Sequence, residues 1–283
     1  MRKKAVAVIM CILLLSCLLI SCIDNKSALK CIEIQLTSEH YAYGVNKNDA
    51  ELLNAANELL AEIKSDGTLD EIINKYFSND TSKIKTFTKG EELPCKDQLI
   101  VATHAPFSPF EYTIGDRYCG IDIEIASLLA EKLNRELVIK EYPFNDIISA
   151  VENGEADIVM AGLTVSSDRE KQIAFTDTYF EASQMIIAKE ADTTFDECKT
   201  TDDVLEILRK MNKSTKIGYQ KDTVSDYFIC GNMELGFTGY NSDRAGYSSA
   251  FDAAKALQKG EIDYVIVDGA PGKMIVDQLN NSK

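Results

Sequence analysis

The chain has 283 residues, 45% of them hydrophobic, with 30 bases against 45 acids and a formal net charge of −15. That is enough apolar material for a substantial core, in one large domain or two of medium size. The excess of acid argues against nucleic acid as a partner, since a phosphate backbone would be repelled, and leaves the fold open.

Residues 1–22 read as an export signal. Arg2, Lys3 and Lys4 form a positive start, and AVAVIMCILLLSCLLIS then runs apolar to Ser21-Cys22. The small residue ahead of Cys22 resembles the bacterial lipobox, whose cysteine becomes the lipidated first residue. Leu14-Leu15-Ser16-Cys17 is a second candidate. Cys22 is preferred because the apolar run stops there and residues 23–30 read as a solvated tether. The competing reading is an uncleaved anchor helix, since ~20 apolar residues can span a bilayer. Without the first three bases, 27 bases face 45 acids, a net charge near −18.

Five cysteines remain: Cys31, Cys95, Cys119, Cys198 and Cys230. An odd number leaves at least one unpaired or intermolecular. None sits in a CxxC, which argues against structural zinc. Cys95 with Cys119 is the favoured disulfide, because both flank the same predicted sheet region. Buried free thiols are the alternative.

EIQLTSEHYAYGV (33–45) reads as extended. From Asp49, apolar residues at Ala50, Leu52, Leu53, Ala56, Leu59, Leu60 and Ile63 have helical spacing. Gly67 suits the left-handed residue that ends this helix. Thr68 with Glu71 fits a capping box opening a second helix that runs to about Phe77. Residues 78–96 are polar, with Gly90 and Pro94, and read as a linker.

From there strands and helices alternate. LIVAT (99–103) is a strand, a hairpin turns at Gly115-Asp116, and Ile125, Leu128, Leu129 and Leu133 line a helix face. LVIKEY (strand), NDIISAVENG (helix, closed at Gly154) and DIVMAG (strand) complete one set. A second set runs TDDVLEILRKM (helix), KIGYQ (strand), TVSDYFI and SSAFDAAKALQKG (helices), DYVIVDG (strand) and APGKMIVDQL (helix). This predicts an α/β fold of parallel-type sheets with helices on both faces. ENGEADIVMAG (152–162) and QKGEIDYVIVD (258–268) align without gaps. They predict two similar lobes whose strands end at a shared cleft; the bland alternative is a coincidence of ordinary strand–helix chemistry.

Catalytic signatures are few. There is no GxSxG, HExxH, Walker sequence or GxGxxG, and nothing makes neighbours of His40 and His104. AGLTVSSDRE (161–170) is more informative. Gly162 offers an unobstructed carbonyl, Thr164 a hydroxyl, and Arg169 a planar fork of donors suited to a carboxylate. Asp268 stands at the equivalent strand end of the other lobe. A guanidinium facing a carboxylate matches a zwitterion, and Phe107 and Phe144 are placed to line the same cleft. Against this stand a surface salt bridge for Arg169, worth under ~1 kcal/mol, a helix cap for Asp268, and core positions for the two phenylalanines.

From 97 to 283 the chain resembles the bacterial extracellular solute-binding proteins of family 3, the polar amino-acid receptors of ABC importers. The resemblance rests on FSPFEYTIGDRYCGIDIEIASLLAEKL, YPFNDIISAVENGEADIVMAGLTVSSDREKQIAFTDTYF, KIGYQKDTVSDYF and AAKALQKGEIDYVIVDGAP, in the expected order. It implies a two-lobed periplasmic-binding-protein type 2 fold. It further implies a polar amino acid as small-molecule ligand, an ABC permease as partner, and an exported, lipid-anchored monomer with no cofactor, no metal and no catalytic activity.

In that family a crossing strand, a long helix and a short hairpin helix finish the chain. Here HYAYGVNKNDAELLNAANELLAEIKSDGTLDEIINKYF occupies 40–77. The sequence therefore resembles a circularly permuted member. Residues 31–47 become a lobe-two strand and hinge crossing, 48–77 the lobe-one helices that normally come last, and 78–96 the join between the former termini. Residues 97–184 become lobe one and 185–283 lobe two, with crossings near Phe180–Ile187 and Tyr41–Asn46.

Residue by residue, the resemblance puts Arg169 on the carboxylate-binding arginine and Asp268 on the ammonium-binding aspartate. Ala161, Gly162 and Thr164 fall on ligand-contacting positions, Phe107 and Phe144 on aromatics that cover the ligand, and Thr223 near lobe-two amides that complete carboxylate binding. Asp222 replaces a common glycine. His104 stands where receptors for basic or amide amino acids often carry Asp. That weakens a lysine or arginine assignment and leaves neutral, acidic and disulfide-containing amino acids open. Two other classes remain: a dehydratase of a cyclic acid on the same fold, with Glu111 or Asp146 as its cleft acid, and a ligand sensor acting through a membrane partner.

Overall fold

A computed structural model describes residues 27–78, 81–94 and 97–282. The expected leader, the lipidation candidates Cys17 and Cys22, and Cys95 lie outside them. Among the described residues no helix is long and apolar enough to cross a membrane.

The chain opens with β1 (Leu29–Ile32), β2 (Glu39–Tyr41), β3 (Gly44–Asn46), α1 (Ala50–Ser65) and α2 (Thr68–Phe77). A 3-10 turn at Thr81–Lys83 precedes β4 (Gln98–Thr103), β5 (Tyr112–Ile114), β6 (Arg117–Cys119), α3 (Ile121–Lys132) and β7 (Glu136–Glu141). A second 3-10 turn, Phe144–Asp146, leads into α4 (Ile147–Glu152), β8 (Ile158–Val159), α5 (Ser167–Glu170), β9 (Ile173–Phe175), β10 (Phe180–Ala182) and β11 (Gln184–Lys189). The remainder is α6 (Thr201–Lys210), β12 (Lys216–Gln220), α7 (Val224–Cys230), β13 (Asp243–Tyr247), α8 (Ala250–Lys259), β14 (Tyr264–Asp268) and α9 (Gly269–Asn281).

Local chemistry sets most of these bounds. Asp49 caps α1 by accepting from the Leu52 N–H at 3.0 Å. Gly67 has φ 86, the left-handed value expected at the end of α1. The capping box expected at Thr68 does not form. Thr68 is already the first helical residue, and its N–H is taken by Asp66 Oδ1 at 2.9 Å. A genuine capping box opens α6 instead, between Thr200 and Asp203.

Two five-stranded sheets form the two lobes, in orders β7-β4-β8-β3-β9 and β1-β11-β14-β12-β13. The alternation predicts parallel sheets, yet neither sheet is wholly parallel. β4 runs parallel to β7 and β8, and β12 parallel to β13 and β14, but β3 is antiparallel to β8 and β9, and β11 to β1 and β14. β3 and β11 each arrive directly from the crossing between lobes, so they enter their sheets from the cleft end, opposite to strands that follow helices. The two crossing segments pair with each other as β2 and β10, with Tyr41 opposite Phe180 and Glu39 opposite Ala182.

The front helices are core, not appendage. Leu52, Ala56, Leu59, Leu60 and Ile63 of α1, with Leu69, Ile72 and Tyr76 of α2, join one buried cluster with Ile121, Ile125 and Leu129 of α3. Burying each large aliphatic contributes roughly 1.5–3 kcal/mol, so this docking stabilises the lobe strongly. Lys75 of α2 adds a bond to the buried Glu124 of α3 at 2.7 Å, where Lys85 also lies at 2.9 Å. The expected linker is irregular but fastened down. Phe87 pairs with Tyr118, and the Lys89 carbonyl accepts from Ile139 N–H of edge strand β7 at 2.8 Å. Cys119, half of the favoured disulfide, is a free buried thiol that donates to the Tyr112 carbonyl at 3.5 Å; Cys31, Cys198 and Cys230 are also free.

Candidate functional site

After β8 the chain turns through Gly162 at φ 52. A Cβ here would stand 2.5 Å and 2.9 Å from ring atoms of Phe107 and 3.4 Å from the Tyr41 ring. Glycine is therefore required for two reasons, backbone conformation and ring contact. The Gly162 N–H donates to Asp122 Oδ2 at 2.8 Å, which orients the turn. Ser166 then caps α5, accepting from the Arg169 N–H at 3.4 Å.

This places the Arg169 side chain inside the cleft. It is buried, donates from Nη1 to the Thr164 carbonyl at 2.7 Å, and reaches Asp222 O of the other lobe at 3.4 Å. Its guanidinium lies 5.4 Å from the centroid of the Phe144 ring. Burial lowers its pKa from the ordinary value, opposed by the charges of Glu39 and Asp268 among others. Asp222 takes φ 62, so it adopts the left-handed backbone a glycine would supply.

Asp268 ends β14 across the cleft. Its Oδ1 accepts from Tyr41 Oη at 2.7 Å and from Gln184 Nε2 at 3.1 Å. The same amide donates to Glu39 Oε1 at 3.0 Å, and Gln184 Oε1 accepts from Ser225 Oγ at 2.7 Å. Glu39 Oε2 accepts from Thr164 Oγ1 at 3.1 Å. One buried network thus links lobe one, the crossing strands and lobe two. Burial lifts the Asp268 carboxyl to about 7, with the Glu39 charge as the next cause.

His104 Nδ1 lies 2.9 Å from the Tyr142 carbonyl, so that nitrogen carries the proton; Nε2 is buried without a hydrogen-bond partner. The Thr223 hydroxyl donates to the Gln220 carbonyl at 2.8 Å rather than capping α7.

Arg169, Asp268, Thr164, Gly162, Phe107, Phe144, His104 and Thr223 line one cavity between the lobes, joined by Glu111 and Gln220. Its volume is ≈ 20 Å³, room for a water-sized occupant and far less than an amino acid. A ligand of that size enters only if the lobes move apart. Ala161 stands outside the lining, packed in the core with Ala102, Val159 and Leu163. Asp146 is exposed and bonded to Asn145, whereas Glu111 is buried in the cavity wall. His104 and Phe144 also wall a neighbouring cleft of ≈ 670 Å³ that includes Glu141, Lys221 and Tyr247. Sequence reasoning missed Glu39, Tyr41, Gln184 and Gln220 as parts of this site. The one local signal was Gln184, a polar residue heading the otherwise apolar run MIIA.

Two mixed α/β lobes joined by paired crossing strands, with opposite charges facing across the cleft, define a hinged binding protein. The chain matches the bacterial extracellular solute-binding proteins, family 3, over residues 2–79 and 99–227, and belongs to that family. It is 39% identical over 94 residues to the arginine-binding extracellular protein ArtP of Bacillus subtilis, covering 33% of this chain and 37% of that protein. It is 29% identical over 171 residues to a probable histidine-binding protein of Neisseria gonorrhoeae, covering 60% and 58%. The chain thus spans less than two thirds of these two relatives. Among solved structures, an ancestral arginine-binding protein bound to glutamine superposes with TM-score 0.54 at 31% identity, over 66% of this chain and 76% of that one. These relatives are named as binding proteins, not as enzymes.

Proposed function

We propose that this protein is an exported, lipid-anchored monomeric receptor, held by Cys22. It captures a polar amino acid between its lobes and delivers it to an ABC importer. One observation carries the reading: Arg169 of lobe one and Asp268 of lobe two line the same cavity. A zwitterion held by both contacts both lobes at once, so it favours the closed arrangement by the difference in contacts between closed and open. Arg169 takes the α-carboxylate with help from Thr223, Asp268 takes the α-ammonium, and Phe107 and Phe144 cover the ligand. The side chain runs past His104 toward the larger neighbouring cleft.

The chain is also read as circularly permuted. The packing of α1 and α2 against α3 in one buried core supports this. A thermal-shift series of the full-length chain against the common amino acids, cystine and several opines tests the receptor reading. At a hundred times its dissociation constant a true ligand adds ~2.7 kcal/mol of stability. No shift with any of them, in protein refolded to strip carried ligand, would sink it.

A further inference from the structure

The amino-acid cavity adjoins a much larger space. His104 and Phe144 line both the ≈ 20 Å³ cavity that holds Arg169 and Asp268 and the neighbouring cleft of ≈ 670 Å³. The cleft has the volume of a whole small-molecule site, more than one amino-acid side chain fills. Both lobes wall it, and each contributes a charge. Glu141 ends β7 of lobe one; its Oε2 accepts from Tyr118 Oη at 2.9 Å, which leaves Oε1 for a further donor. Lys221 follows β12 of lobe two. Its stem lies along Gly246, whose Cβ position is 2.8 Å from Cγ and 2.9 Å from Cε, and its ammonium has no partner among the described residues. His104 belongs to both walls. Its Nδ1 donates to the Tyr142 carbonyl at 2.9 Å, so the buried, unpartnered Nε2 is an acceptor. Asp222, the other charged residue of the wall, acts on Tyr227 of α7.

The signs alternate between the lobes. In the small cavity the base, Arg169, comes from lobe one and the acid, Asp268, from lobe two. In the cleft the acid, Glu141, comes from lobe one and the base, Lys221, from lobe two. A ligand with a single zwitterionic head leaves the second pair unused. A ligand carrying another α-amino-acid group at its far end, turned over relative to the first, engages both pairs. It contacts both lobes twice, and so favours the closed arrangement more than a single head does.

We propose that the substrate class is a double-headed amino acid, two α-amino-acid groups joined by a short chain. The inference rests on the receptor reading above and deepens it. Arg169 and Asp268 hold the head. The joining chain passes Phe144. Glu141 and His104 Nε2 accept from the tail ammonium, and Lys221 donates to the tail carboxylate.

The test titrates the full-length chain calorimetrically with two matched ligand sets. The first is L-cystine with two mixed disulfides of L-cysteine: that with cysteamine lacks the tail carboxylate, and that with 3-mercaptopropanoate lacks the tail ammonium. The second is a shorter thioether set that cannot exchange with the free thiols: L,L-lanthionine, S-(2-aminoethyl)-L-cysteine and S-(2-carboxyethyl)-L-cysteine. In one set or both, the double-headed ligand is expected to bind at least about fivefold tighter than either truncated form, and tighter than L-arginine, L-histidine or L-glutamine. Lys221→Gln should weaken that ligand about fivefold and leave the form without a tail carboxylate within about twofold. Glu141→Gln should do the same relative to the form without a tail ammonium. Truncated forms that bind as tightly in both sets, a single-headed amino acid that binds tighter than both double-headed ones, or equal losses for whole and truncated ligands in the variants would each overturn the double-headed assignment while leaving the receptor reading intact. Failure of the wild type to bind any amino acid, single- or double-headed, would overturn both.

Discussion

Gly162→Ala isolates the contact that shapes the cavity floor. Alanine at φ 52 suffers the left-handed penalty of about 1–2 kcal/mol. The new Cβ also meets the Phe107 ring at 2.5 Å, and that ring cannot retreat freely, because it stacks on Phe110 at 5.8 Å and lies 6.5 Å from Tyr41. Overpacking of this kind adds about 1–3 kcal/mol. Gly115 is the control. It has φ 62, yet nothing lies within 4 Å of its Cβ position, so Gly115→Ala bears the backbone penalty alone. Urea unfolding should show Gly162→Ala destabilised by about 2–5 kcal/mol and Gly115→Ala by about 1–2. Where Phe107 yields instead, it moves into the cavity and ligand affinity falls while stability recovers. Equal unfolding midpoints for the two variants, with ligand binding unchanged, would refute the claim that ring contact requires glycine at 162.

Arg169→Ala should lower affinity for the best amino acid by on the order of a hundredfold, because a buried carboxylate loses its charged partner; isothermal titration reads this directly, and wild-type affinity in the variant would remove Arg169 from the site. Two acids of α3 should respond oppositely to pH. Burial raises Asp122 to about 7, so its favourable contribution is present at low pH and lost as pH rises through that value. Asp122→Asn should therefore raise Tm relative to wild type near pH 8 and lose that advantage near pH 5. Lys75 and Lys85 hold Glu124 below its ordinary value despite burial, so its contribution is present above the unfolded carboxylate range and lost as pH falls through the folded value. Glu124→Gln should cost stability near pH 8 and much less in acid. Asp222→Gly, which relieves φ 62, should change stability by no more than about 1 kcal/mol and leave the carbonyl facing Arg169; a larger loss by urea titration would show that the Asp222 side chain holds the turn.

The repeating strand–helix order was legible because helix faces carry strong periodicity and their ends carry recognisable caps. Two lobes followed from the echo of 152–162 in 258–268, and Arg169 and Asp268 followed from the strand ends. Strand direction was less accessible. Whether a strand arrives from a helix or from a crossing is a property of topology, and the two short runs that cross, EHY and FEA, have no distinctive pattern. The polar network failed for the same reason. Glu39, Tyr41 and Gln184 reach Asp268 and Thr164 only because β2 pairs with β10, and no spacing along the chain encodes that meeting. Thr68 shows the limit of motif reading: the right residues stood one position away from the actual cap, and Asp66 took the amide.

Within the described residues the chain passes between the lobes twice, at β2 and at β10. Everything from β3 to β9 is therefore one uninterrupted run, set like a guest into a host sheet whose strands come from both sides of it. In the host, Leu29 bonds Asn280 across 251 positions. The order of assembly follows. The guest holds all its own strands, although β3 must still reach β8 and β9 far along the chain, whereas β1 waits for β11 and α9, which the guest separates from it, before it is covered. Loop closure over such distance slows the host without weakening it, since its cost grows only as the logarithm of length. The guest should form first and present β2 and β10 already side by side, so the hinge is in place before the second jaw exists.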